Sequence, residues 1–162
     1  MQKIAIPMEE LMPLLQAQME AGGSARLTVT GCSMRPMLHH GRDSVVLEPI
    51  GEDPKRGDLV LYLRDNGVYV LHRIIRKTEM GYICCGDNQW EKEPVERRQM
   101  LAIVQGFSRK GKEYTNDHRG YRFYVWLWVL LHPIRRPILA VRRLCGRIGR
   151  WWQRRKKKQQ RS

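Results

Sequence analysis

Six short runs rich in β-branched and aromatic residues lie within the first 107 positions, and turn residues separate them. The segment 64–67, with the letters RDNG, contains Asn-Gly, which supplies the positive φ angles of a tight hairpin turn. Many short strands and few helices favour a small, coiled, mostly antiparallel β fold, so the chain is predicted to be mainly β. The predicted strands lie near residues 25–30, 43–48, 58–64, 67–76, 81–85 and 101–107.

One helix is predicted before the strands, over residues 8–20, where leucines recur at helical spacing. Pro13 lies inside this run and weakens the pattern. A polar, glycine-containing stretch after the last strand marks a boundary. We therefore predict a helical segment at 1–24, a β domain at 25–110 and a C-terminal tail at 111–162.

The positive charge of the chain is concentrated in its C-terminal part. From Arg119 onward there are 14 Lys and Arg residues and no Asp or Glu, whereas the preceding residues have 16 of each sign. After Pro137, arginines alternate with aliphatic residues at roughly helical spacing, and a Lys/Arg cluster follows. This pattern is typical of an amphipathic helix that lies in the interface of an anionic membrane. The predicted membrane contacts are Trp126, Trp128, Arg142, Arg143, Trp151 and Trp152.

The apolar run at 123–131 is shorter than the roughly 20 residues that a membrane-spanning helix needs. The arginines that follow it disfavour insertion, since each costs about 2.5–3.5 kcal/mol at the centre of a bilayer. Peripheral attachment is therefore preferred to integral insertion, and packing of the run in the protein core stays an alternative. Nucleic acid is disfavoured as a partner, because no recognition helix or basic–aromatic β surface accompanies the cluster.

The four cysteines and the N-terminal residues exclude several other classes. No pair has Cys-x-x-Cys spacing, which disfavours a zinc site and suits a reducing compartment. No metal or cofactor is expected. The first residues lack a long apolar stretch, so neither a secretory signal nor a membrane anchor is predicted there.

The segment 31–38, GCSMRPML, follows a β-like run and is predicted to turn sharply at Ser33. A serine hydroxyl becomes a nucleophile when a base takes its proton and N–H donors face the developing oxyanion. His72, in a strand, is the predicted base, because an imidazole exchanges protons near neutral pH. Asp87, in a Gly-Asp-Asn turn, is predicted to orient that imidazole. Taken singly, Ser33 fits a turn residue, His72 a strand residue and Asp87 an Asx-turn.

Five segments resemble, in order, the sequence boxes of type I signal peptidases, in particular the Ser-His form of the endoplasmic reticulum, archaea and some Gram-positive bacteria. The wider clan includes the self-cleaving SOS-repressor proteases. The segments are GCSMRPML, GRDSVVL, KRGDLVLYL, VLHRII and CCGDN, within roughly residues 27 to 107. The resemblance implies a β-rich catalytic domain with Ser33 as nucleophile, His72 as base and Asp87 in the conserved aspartate position.

The remaining predicted site residues follow from the same resemblance. Gly31 stands where the family usually has a serine, so the oxyanion hole would rest mainly on backbone N–H groups, including that of Ser33. The sequence has GRD where GD is usual, and no N-terminal anchor like that of the family is predicted from it. Support of the oxyanion and the turns is assigned to Gly31, Cys32, Gly86 and Asn88, and the substrate groove to Met34, Pro36 and Leu38.

These features predict a serine endopeptidase that cleaves signal or leader peptides near a membrane, attached peripherally to its cytoplasmic face. The resemblance implies an extended substrate with a small residue before the cut. The alternative is a non-catalytic peptide-binding or regulatory module on the same fold. His39 and His40 lie close to Ser33 in sequence, but their loop position disfavours them as bases.

Overall fold

The computed structural model describes residues 6–134 and Pro137. This part of the chain contains two α-helices, α1 (Met8–Glu20) and α2 (Arg119–Leu130), and 3-10 turns at Arg97–Gln99 and His132–Ile134. The strands are β1 (Ala25–Thr28), β2 (Ser44–Pro49), β3 (Leu59–Leu63), β4 (Tyr69–Thr78), β5 (Gly81–Cys85), β6 (Glu93–Val95), β7 (Met100–Arg109) and β8 (Lys112–Thr115).

The strands form one sheet in the order β1-β2-β7-β3-β4-β5-β6, and β8 pairs with β7. Every neighbouring pair is antiparallel, which confirms the predicted mainly β, antiparallel fold. The six predicted strands are all present, with ends that move by two residues at most. The predicted hairpin joins β3 to β4, where the Gly67 N–H donates to the Arg64 carbonyl at 2.9 Å. Gly67 has a φ of 80°, as such a turn requires.

Two strands were not predicted from the sequence. β6 contains Pro94, which usually argues against a strand, but β6 is the last strand of the sheet order and an edge strand tolerates proline. β8 is short and polar, and it follows β7 through a tight turn at Lys110 and Gly111. Both turn residues have positive φ, 53° and 77°, which matches the twist of a hairpin.

Helix α1 has the predicted bounds and continues through Pro13. Pro13 is exposed, so the backbone hydrogen bond that proline removes lies on the solvent side. The opposite side buries Met12, Leu15 and Met19 in the core. Burial of these side chains offsets the weak helix propensity of the proline-containing turn.

The core consists of two clusters, one on each face of the sheet. Along β3, Leu59 and Leu61 belong to the larger cluster with α1, whereas Val60 and Tyr62 belong to the smaller one. This alternation is that of a strand buried on both faces. The smaller cluster contains Val60, Tyr62, Ile74, Tyr82, Cys84, Val95 and Met100.

Helix α2 belongs to the same compact unit as the sheet. Its Tyr121 is buried in the larger core cluster, and the unit extends to Val129. The predicted boundary after residue 110 therefore differs from the structure, since α2 and β8 both pack with the β domain. Within the described residues, no helix has the length and apolar character needed to cross a bilayer. The amphipathic helix predicted after Pro137 lies outside the described residues.

Candidate active site

The predicted nucleophile Ser33 lies in a tight irregular turn after β1. Gly31 has a φ of 82°, a conformation that glycine adopts without strain, and this accounts for the glycine before the turn. The turn is held by a hydrogen bond from the Arg35 N–H to the Cys32 carbonyl at 3.3 Å. Ser33 itself is half-buried. Among the hydrogen bonds of the described residues, none has the Ser33 N–H as its donor.

A second turn, 86–88, packs directly on the Ser33 turn. The Asn88 N–H donates to the Ser33 carbonyl at 2.6 Å, and the Asn88 side-chain amide donates to the Cys32 carbonyl at 3.3 Å. A Cβ atom on Gly86 would lie 2.9 Å from the Ser33 carbonyl oxygen and 3.0 Å from Ser33 Cβ. Glycine is therefore required at 86 by the close approach of the two turns.

His72 is buried in β4, and its Nδ1 lies 2.8 Å from Oε1 of Glu93 and 3.0 Å from the hydroxyl of Tyr62. The Tyr62 hydroxyl also donates to Glu93 Oε1. The sheet brings these groups together: Glu93 pairs with Cys84, and Cys84 pairs with Ile74, so the side chains of 93 and 74 share a face with His72. Sequence reasoning did not identify Glu93, since only the pairing of β5 with β6 places it near β4.

The electrostatics of Glu93 decide which nitrogen of His72 carries the proton. Burial by itself would raise the pKa of Glu93, but hydrogen bonds from His72, Arg64 and Tyr62 outweigh it and lower the pKa to about 2. Arg64 binds the carboxylate through Nε at 2.7 Å and Nη2 at 3.0 Å. An ionised carboxylate accepts hydrogen bonds only, so Nδ1 of a neutral His72 must be the protonated nitrogen. The lone pair of the imidazole is then on Nε2.

Ser33 lies close to Gly86, and the strand register relates the same glycine to His72. Arg73 pairs with Cys85 and Ile74 with Cys84, and one further step of this register puts residue 86 beside His72. Gly86 in turn contacts Ser33. No hydrogen bond joins Ser33 to His72 in the part of the chain that the structure describes.

Asp87 binds Arg73 and not His72, which corrects the role predicted for it. Arg73 donates through Nε to Oδ1 at 2.9 Å and through Nη2 to Oδ2 at 2.8 Å, and both side chains are fully buried. Successive residues of a strand point to opposite faces, so an aspartate that meets Arg73 is on the wrong face to orient His72. Burial alone would lower the pKa of Arg73, but the charge of Asp87 raises it above its ordinary value.

The Arg73–Asp87 pair is the centre of a network that holds the turns at Ser33 and Asp87. Arg73 also donates to the Gly57 carbonyl at 2.7 Å, to the Tyr121 hydroxyl at 3.2 Å and to the Met37 sulfur at 3.2 Å. Met37 lies four residues after Ser33, so the network joins the Ser33 turn, the sheet and α2. Asp87 therefore has a structural role in this geometry.

The other predicted site residues fall into two groups. Met34 and Leu38 are buried in the core cluster, which makes them packing residues and corrects their assignment to a substrate groove. Pro36 is half-buried and Cys32 is exposed beside Ser33. His40 accepts a hydrogen bond from the Gly31 N–H through Nδ1 at 3.1 Å, a structural role.

Of the predicted membrane contacts, Trp126 is exposed and Trp128 is half-buried. The Trp128 indole donates to the Asp87 carbonyl at 3.1 Å. The remaining four, Arg142, Arg143, Trp151 and Trp152, lie outside the described residues.

No protein-family model matches this chain, and no curated protein matches it either. The signal-peptidase resemblance therefore remains a prediction that rests on the five segments. Among the described residues, no group of three His, Cys, Asp or Glu side chains is arranged to hold a metal ion.

Proposed function

We propose that the chain is a serine endopeptidase in which Ser33 is the nucleophile, His72 the general base and Glu93 the group that orients His72. The observation that carries this proposal is the 2.8 Å contact between Glu93 and Nδ1 of His72. It directs the basic lone pair of the imidazole to Nε2, the nitrogen a serine hydroxyl would use. A second support is the close approach of Ser33 to Gly86, the residue that follows the last pair, Arg73 with Cys85, in the register of β4 and β5.

The reaction is acyl transfer in two halves. Ser33 Oγ attacks the peptide carbonyl carbon while His72 Nε2 takes the hydroxyl proton, and the Ser33 N–H donates to the oxyanion. His72 then gives the proton to the leaving amine, the C–N bond breaks, and an acyl-serine remains. Water attacks the acyl-serine with His72 again as base, which releases the acid and restores Ser33. The ionised Glu93 stabilises the imidazolium in both halves.

The proposed substrates are signal or leader peptides bound in extended form, with a small residue before the cut. Such binding would add a strand to an exposed edge, so that alternate side chains enter pockets. Met34 and Leu38 are excluded from those pockets by their burial.

The proposed location is the cytoplasmic surface of a membrane, held peripherally. The support for this part is the charge distribution, since all 14 excess positive charges lie from Arg119 onward. Each Lys or Arg near an anionic surface is worth about 1 kcal/mol.

The test is hydrolysis of a panel of synthetic peptides by the purified chain, with Ser33→Ala as the key variant. Ser24→Ala is the matched control, because Ser24 is exposed and engages α1 only through its backbone carbonyl. We expect the control to cleave at the wild-type rate and Ser33→Ala to lose several powers of ten. A folded Ser33→Ala variant that cleaves within about tenfold of wild type would refute the assignment. Peptide binding without any turnover by the wild type would identify the alternative, a non-catalytic binding module.

A further inference from the structure

The inner face of α2 is fixed to the catalytic turns. The Tyr124 hydroxyl donates to Oδ2 of Asp87 at 3.0 Å, and the Trp128 indole donates to the Asp87 carbonyl at 3.1 Å. The rings of Tyr124 and Trp128 stack with their centroids 5.5 Å apart. Tyr121, on the same face, is buried and bonded to Arg73. This face of the helix therefore holds the turn that packs on Ser33.

The outer face of α2 is apolar and exposed. Phe123 is 63% exposed and Trp126 is 59% exposed, and their ring centroids are 5.9 Å apart. Residues three apart are neighbours on a helix surface, so the two rings form one continuous aromatic surface. Single exposed apolar residues are common in proteins, whereas a joined pair of large aromatic rings on one helix marks a contact surface.

The charge around this surface favours an anionic partner. Arg119 and Arg122 are both exposed on α2, and the helix has no acidic residue. Trp and Phe on one face with Arg beside them are the side chains that interfacial helices use on anionic membranes. A purely apolar protein partner would not select for this excess of positive charge.

We propose that the outer face of α2, defined by Phe123, Trp126, Arg119 and Arg122, docks on an anionic lipid surface. The inference deepens the proposed function, on which its biological meaning rests. Since the inner face carries the Asp87 turn, docking would hold that turn about one helix diameter, roughly 10 Å, from the lipid. The charges beyond α2 provide long-range attraction, and the aromatic pair provides the apolar contact.

Vesicle flotation tests the surface directly. The full chain is mixed at low salt with phosphatidylcholine vesicles that contain or lack phosphatidylglycerol. The key variant, Phe123→Ser with Trp126→Ser, keeps all 14 basic residues and removes only the aromatic surface. We expect its partition to anionic vesicles to be at least about tenfold weaker than that of wild type, because two large apolar groups are lost. Met80→Ser is the control, since Met80 is 90% exposed in the β4–β5 connection, and it should float as wild type does.

Three results would overturn the docking surface. The first is flotation of the double variant at the wild-type level, which would mean that the basic residues alone are responsible. The second is equal flotation of the wild type with and without phosphatidylglycerol. The third is no flotation of the wild type. Circular dichroism confirms that the double variant is folded, and Trp126→Gln alone should show an intermediate loss. Flotation requires no catalysis, so a chain that floats but never labels at Ser33 with a serine-directed phosphonate would contradict the proposed function and retain the docking surface.

Discussion

At the scale of single residues, the proposed chemistry depends on which nitrogen of His72 carries a proton. Glu93 and Tyr62 both contact Nδ1, and Arg64 keeps the carboxylate of Glu93 ionised through two hydrogen bonds. A similar arrangement occurs at Asp43, whose two carboxylate oxygens accept hydrogen bonds from Nε and Nη2 of Arg42. The arginine in the unusual GRD segment is therefore the partner of the aspartate that it displaces in sequence.

Glu93→Gln should lower kcat/KM by about 10²- to 10⁴-fold, since glutamine still accepts from Nδ1 but does not stabilise an imidazolium. The loss should be mainly in kcat, because the proposed role of Glu93 is to orient His72 and not to bind the substrate. Glu91→Gln is the control: the same change, two residues away and exposed. Steady-state kinetics of the folded variants measure both. An effect of Glu93→Gln confined to KM, or equal to that of Glu91→Gln, would contradict the orienting role.

Gly86→Ala should reduce activity at least about tenfold, because its Cβ would press on the carbonyl and Cβ of Ser33 at 2.9 and 3.0 Å. Overpacking of this kind costs about 1–3 kcal/mol of stability. Gly51→Ala is the matched control, since nothing lies within 4 Å of the Cβ it would add. Thermal melts and peptide hydrolysis measure the two effects. Wild-type activity in Gly86→Ala would show that the two turns are not as close as described.

At the scale of elements, β4 has a different set of polar side-chain contacts on each of its two faces. His72 faces Tyr62 and Glu93, whereas Arg73 faces Asp87 and α2. The pair Arg73–Asp87 ties the connection after β5 to β4, and Tyr124 adds α2 to the same carboxylate. The turns at Ser33 and Asp87 are thus positioned by the strand that also contains the proposed base, His72.

Asp87→Ala should destabilise the fold by about 3–5 kcal/mol, because it leaves the fully buried charge of Arg73 without its partner. Asp53→Ala is the control, since the Asp53–Lys77 pair is on the surface and such pairs contribute little. Urea denaturation gives both values. A loss below about 1 kcal/mol for Asp87→Ala would mean that water or another group replaces the carboxylate.

Some of these helices and strands could be predicted from local sequence, whereas the contacts between distant segments could not. The β3–β4 hairpin could be predicted because Asn-Gly specifies the turn by itself, and α1 because its leucines recur at helical spacing. The contact of Glu93 with His72 could not be predicted, because it depends on two strand pairings, β4 with β5 and β5 with β6. His72 was wrongly predicted as the partner of Asp87 for a related reason. The turn that contains Asp87 was predicted, but strand register decides whether its carboxylate meets the face of β4 with His72 or the face with Arg73. The place of α2 was left open between the core and a lipid surface, because an apolar run suits both. Met34 was assigned to a substrate groove because its burial depends on packing with distant parts of the chain.

At the scale of the whole molecule, acid should destabilise the fold. Burial would raise the pKa of Asp43, but hydrogen bonds from Arg42 and from the N–H groups of His39 and Lys110 outweigh it, and its pKa falls to about 2. Glu93 behaves likewise. A carboxyl with a lowered folded-state pKa stabilises the fold above its unfolded pKa near 4, and this contribution is lost as the pH falls towards 2.

The free energy of unfolding should therefore decrease between about pH 5 and pH 2, and more gently in Asp43→Asn than in wild type. Urea denaturation at a series of pH values measures the slope. The exposed Asp53→Asn variant should keep a slope much closer to wild type, because its partner Lys77 lies at the surface. An unchanged slope in Asp43→Asn would show that Asp43 is not ionised through its Arg42 contact.

The central claim is that Ser33 is activated by His72, and covalent labelling tests it most directly. The wild-type chain, treated at neutral pH with a serine-directed phosphonate and digested, should give one adduct, mapped by mass spectrometry to Ser33. His72→Ala should label at least about 10²-fold more slowly, because the hydroxyl loses its base. No adduct in the folded wild type, an adduct on another serine, or an equal labelling rate in His72→Ala would contradict the account.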